Sequence, residues 1–64
     1  MDKKDYLTIW GYLQTLKDIL EQKAKDVAAR GGDDSALIAG RYLKERSDIR
    51  AMQEKIDREV EGMP

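Results

Sequence analysis

The stretch AARGGDDSALIAG, from Ala28 to Gly40, brings two adjacent glycines, two aspartates and a serine together, and nothing like it recurs in the chain. Glycine beside carboxylate suits a phosphate cradle or a cation loop, and it suits equally well the bend of a hairpin. The flanking sequence decides between them. Upstream, Tyr6, Ile9, Leu13, Leu16, Leu20, Ala24 and Val27 follow one another at steps of three or four residues, the spacing that puts side chains on one face of a helix. Downstream, Ile38, Tyr42, Ile49, Met52, Ile56 and Val60 form a comparable stripe. β-Branched residues are too few and too scattered for strands.

The spacing predicts helix 1 from about Lys3 to Ala29, a turn over 30–33, and helix 2 from about Asp34 to Glu61. A connection this short makes the helices antiparallel neighbours. Counted outward from the turn, Val27 falls opposite Ile38, Leu16 opposite Ile49, Leu13 opposite Met52, Ile9 opposite Ile56 and Tyr6 opposite Val60. The expected fold is all-α: one antiparallel two-helix hairpin over residues 1–64, dimerising into a four-helix bundle.

Within that hairpin every residue of the turn has a structural task. Gly31 suits the left-handed conformation that ends a helix, Gly32 lets the chain reverse, and Asp33, Asp34 or Ser35 can accept the free N–H groups that open helix 2. A Walker-type phosphate loop needs a Gly-Lys-Ser/Thr ending after a strand, and neither is present. A calcium loop needs oxygens at alternating positions across twelve residues, which Asp33 and Asp34 do not supply. The GGDD string resembles the GGDE part of cyclic-dinucleotide synthases, but those domains are far larger than 64 residues.

Composition narrows the chemistry. There is no cysteine and no histidine, which removes thiolate metal sites and the commonest general base near neutral pH. Twelve basic and thirteen acidic residues leave a formal charge of -1, too little to steer the chain toward nucleic acid or anionic lipid. No apolar run approaches the ~20 residues of a membrane span, and MDKKDYLTIW lacks a signal-peptide core; the expected location is the cytoplasm. Acids are plentiful, yet a general acid needs burial beside a pocket to shift its pKa, and two helices enclose none. The expectation is a protein that is not an enzyme, with no metal and no cofactor.

Helix 1 is more apolar than one hairpin requires. Tyr12 and Ile19 flank its main stripe on one side, and Leu7 and Trp10 flank it on the other. Apolar shoulders on both sides of a stripe ask for more than one partner, so Leu7, Trp10, Tyr12 and Ile19 are the expected protein interface. Lys23, Glu45, Arg46 and Gln53 lie on or near the packing face; such residues more often sit at the stripe edge with stems packed and heads in water, and the alternative is that they set register between chains. Gly11 and Gly40 each cost a helix interior about 1 kcal/mol relative to alanine, and close helix approach is one reason to keep them.

Helix 2 carries Arg41, Lys44, Lys55 and Arg58 broadly in line, a row that could track a phosphate backbone. Asp48 interrupts the row, where it can pair with Lys44, and Glu59 lies beside it. A salt-bridged, solvated face is the plainer account. On exposed faces, Glu21 with Lys25, Asp26 with Arg30 and Glu54 with Arg58 stand in the favourable acid-then-base order.

In length and topology the chain resembles the small antiparallel hairpins of the Rop type, which dimerise into bundles. No motif matches, so no functional residue carries over. The expected function is a small homo-oligomeric helical adaptor, regulator or inhibitor of the kind mobile elements carry, acting on a partner protein. The alternative is an RNA- or DNA-binding bundle that uses Arg41, Lys44, Lys55 and Arg58. A small ligand held between protomers is a third option that no residue specifies.

Overall fold

The computed structural model describes residues 2–64, which form two α-helices, α1 (Lys3–Arg30) and α2 (Ser35–Glu61), packed against each other. The helices start and stop within a residue of where the apolar spacing puts them. Asp2 caps α1: its carboxylate accepts the Asp5 N–H at 3.0 Å, and Arg30 sits in the last turn. Both placements favour the helix macrodipole.

The turn uses its glycines. Gly31 has φ 72° and ψ -171°, and Gly32 has φ 116°. These are conformations that side chains disfavour. Gly31 is not in the left-handed helical region expected of it, because its ψ is extended and leads the chain away from α1 instead of curling over its end. The start of α2 also differs from expectation. No side chain accepts an N–H there; the Ser35 hydroxyl instead donates to the Gly32 carbonyl at 3.0 Å, alongside the Ser35 N–H at 3.3 Å. Gly32 thus closes the turn as an acceptor, and the two aspartates contribute charge near the helix start.

The inner faces follow a stricter rule than the apolar residues alone suggest. On α1 the continuous row of buried and half-buried residues is Tyr6, Trp10, Leu13, Lys17, Leu20, Ala24 and Val27, with Gln14 and Glu21 half-buried beside it. On α2 it is Ser35, Ala39, Tyr42, Arg46, Ile49, Gln53, Ile56 and Val60. Both rows alternate steps of four and three without a break, the seven-residue repeat of a coiled coil. Ile9, Leu16, Ile38 and Met52, expected in the core, are exposed. The reason is geometric: a seam at this spacing must pass through Trp10 and Lys17 on α1, and each apolar residue beside them is turned outward.

Cross-helix contacts fix the register. The buried Gln53 amide donates to the Trp10 carbonyl at 3.3 Å and to Gln14 Oε1 at 3.1 Å. Arg46 pairs with Glu21 at 3.5 Å. The Lys23 ammonium lies 6.0 Å from the centre of the Tyr42 ring, at the outer limit of a cation–π contact. Extended along the seam, this register sets Tyr6 level with Val60, Leu13 with Gln53, Leu20 with Arg46 and Val27 with Ala39. That is one residue from the counted pairing at Leu13 and Val27. Gln53 and Arg46 therefore make their polar contacts within one hairpin, while Lys23 and Glu45 stay exposed at its edges.

The product is a rod of 51 × 14 × 13 Å. Its radius of gyration is 14.8 Å, against about 11 Å for a compact chain of this length. Among the described residues only Ala24, Ile49 and Gln53 are buried, and no large side chain is fully enclosed. Among the described residues no helix is long and apolar enough to cross a membrane.

Candidate functional site: a second apolar face on α1

The residues that the seam turns outward gather on α1. Ile9, Tyr12, Leu16 and Ile19 repeat the four-three spacing of the seam, displaced by one residue, about 100° around the helix. All four are exposed, Tyr12 most of all at 70%. Met52 of α2, also exposed, lies on the same flank of the seam, at the level of Leu13 and Gln14. The next residues along this second row are Asp5 at one end and Lys23 at the other.

The edge of this face toward solvent is lined by Thr8 and Thr15. Both hydroxyls bond back to their own helix, Thr8 Oγ1 to the Lys4 carbonyl at 2.9 Å and Thr15 Oγ1 to the Gly11 carbonyl at 3.2 Å. Their hydrogen bonds are already made, so covering this edge would strand no donor.

The expected interface residues do not form one patch. Tyr12 and Ile19 belong to the second face. Leu7 is exposed on the opposite flank of the seam. Trp10 lies in the seam itself, half-buried, with its indole Nε1 enclosed and without a hydrogen-bond partner. Its assignment to an outer surface is corrected: the unbroken repeat from Tyr6 to Val27 claims it for the hairpin. Ile9 and Leu16 are the interface candidates that the apolar spacing hid, because they had been spent on the core. The two continuous four-three rows on one helix were the signal that could have found them.

The flank that carries Leu7 holds an open groove of about 320 Å³ near the turn. Ala24, Ala28 and Ala39 form its floor, with Leu43, Glu21, Lys25 and Arg46 around it. Small side chains leave the space. Gly11 and Gly40 do not contribute to close packing, since a Cβ built at either position meets nothing within 4 Å.

Arg41, Lys44, Lys55 and Arg58 are all exposed on α2. Among the described residues the ion pairs are Glu21 with Lys25 at 3.9 Å, Glu21 with Arg46, and Arg50 with Glu54 at 3.6 Å. Asp48 does not reach Lys44. Glu54 is drawn to Arg50 on its N-terminal side and leaves Arg58 aside. No group of three or more metal-ligating side chains converges among the described residues. No protein-family model matches the chain, and neither a curated protein nor a solved structure is detectably similar to it.

Proposed function

We propose that the protein is a non-enzymatic interaction module, a hairpin that associates with itself into a four-helix bundle and presents the assembled surface to a partner protein. The observation that carries this reading is the second apolar row on α1, Ile9, Tyr12, Leu16 and Ile19, exposed along one side of a rod whose own core encloses no large side chain. A helix with two apolar rows about a right angle apart is the element a bundle needs, since each helix there touches two neighbours. A hairpin this small has little stability of its own to spare, so self-association is its natural source. The Leu7 flank, with Leu43 and the alanine-floored groove, is then left for the partner.

Light scattering across a dilution series tests the first step. The expected mass is twice that of the 7.3 kDa chain, falling to one chain in a Tyr12→Glu, Ile19→Glu variant. A wild-type chain that is monomeric at every concentration refutes self-association. Binding of nucleic acid through Arg41, Lys44, Lys55 and Arg58 is the second reading, favoured by the lack of ion-pair partners for these four among the described residues. It requires affinity that falls steeply with added salt, and no binding to a mixed nucleic acid pool at low salt ends it.

A further inference from the structure

We infer that the second face of α1 is the dimer contact, and that it receives α1 of a second copy in antiparallel orientation about a two-fold axis level with Gln14. This inference rests on the self-association proposed above and specifies its geometry. Area is the first argument. A compact monomer of 7.3 kDa exposes about 4,200 Å², whereas the hairpin exposes 5009 Å². The excess of about 800 Å² is spread over the whole rod, and it equals what one partner contributes to a standard stable interface; the exposed apolar row of Ile9, Tyr12, Leu16 and Ile19 is where a partner would cover it.

Charge complementarity is the second argument, and it sets the direction. The outer row reads Asp5, Ile9, Tyr12, Leu16, Ile19, Lys23. An antiparallel pairing centred at Gln14 places Ile9 against Ile19 of the second copy and Tyr12 against its Leu16. It also places Asp5 against Lys23 of the second copy, twice over by symmetry. A parallel pairing would set Asp5 against Asp5 and Lys23 against Lys23, which is repulsive at both ends. Neither Asp5 nor Lys23 has an ion-pair partner within its own chain among the described residues. Thr8 and Thr15 flank the contact with hydroxyls already satisfied. The same axis brings the exposed Met52 of α2 level with its own copy and Lys55 within one residue of the level of Asp48 of that copy. Glu45 and Glu59 of the second copy are the like-charged neighbours, so α1 carries the contact and α2 contributes only its rim.

The chain has no cysteine, so single thiols report the geometry directly. Ile9→Cys and Ile19→Cys variants are treated with a short thiol crosslinker, separately and as an equal mixture. The antiparallel contact predicts a crosslinked dimer in the mixture alone, because like positions lie ten residues apart, about 15 Å along the axis. Crosslinking of either variant by itself overturns the inference. A dimer by light scattering that crosslinks in none of the three samples also overturns it, while the reading of self-association stands. A monomer throughout overturns both. Charge exchange supplies an independent check. Asp5→Lys is expected to weaken dimerisation roughly tenfold, and Asp5→Lys with Lys23→Glu in one chain to restore it; equal weakening in the double variant would refute the pairing.

Discussion

The two faces of α1 differ in how polar and apolar side chains share them. The inner row, which meets α2, contains Lys17 and lies against Arg46 and the buried Gln53. The outer row holds four consecutive apolar residues and lies open. What differs is the kind of work each does. The inner seam is held in register by specific polar contacts, Gln53 to Trp10 and Gln14 and Arg46 to Glu21. The outer row has no such internal partners, and its apolar surface is available only to another chain. α1 thus carries two apolar rows, one held against its own hairpin by specific polar contacts and one left exposed.

The sharpest way to break the comparison is to place the same charge on each face. Ile49→Asp buries a carboxylate in the seam and is expected to cost at least about 3 kcal/mol, enough to abolish the cooperative melt seen by circular dichroism. Ile19→Asp on the outer row is expected to leave the isolated hairpin within about 0.5 kcal/mol of the wild type, while its melting temperature ceases to depend on concentration. Equal loss at both sites would mean that the faces are not distinct. A smaller effect probes the polar seam. Gln53→Leu removes a buried amide whose partners both have other recourse, the Trp10 carbonyl in its helix and Gln14 in water. Denaturant titration is expected to show stability unchanged or raised by about 1 kcal/mol; a loss beyond that would make the Gln53 bonds a net source of stability. Smallest are the glycines away from both faces. Gly11→Ala and Gly40→Ala meet no neighbour and should each stabilise by roughly 0.5–1 kcal/mol. Gly31→Ala at φ 72° should destabilise by about 1 kcal/mol or more.

The hairpin itself was legible in the sequence because turn chemistry and helical spacing agree, and the helix ends fall where Asp2 and the glycine pair put them. The division of residues between faces was not. Choosing the most apolar residue at each step drew Ile9 and Leu16 into the core and left Trp10 outside it. The molecule chooses by unbroken four-three geometry, which admits Lys17 and Gln53 because long polar side chains can run along a seam and satisfy their ends. The start of α2 was not legible either: a serine that can accept from the backbone can equally donate to it, and Ser35 donates to the Gly32 carbonyl.

The two rows of the seam carry one further message in their phase. Continued past Val27 at the same alternating steps, the row of α1 would pass through Gly31, Asp34, Ile38, Arg41, Glu45, Asp48, Met52, Lys55 and Glu59. The row that α2 in fact uses, Ala39 to Val60, is offset from it by one residue. If the turn straightened into a single long helix, the apolar side of the first half would run on into a charged side of the second. Exchange of helices between two opened chains would lose its continuous seam at the junction. The offset across the glycine turn therefore acts as a lock on topology: it disfavours domain swapping through a straightened turn.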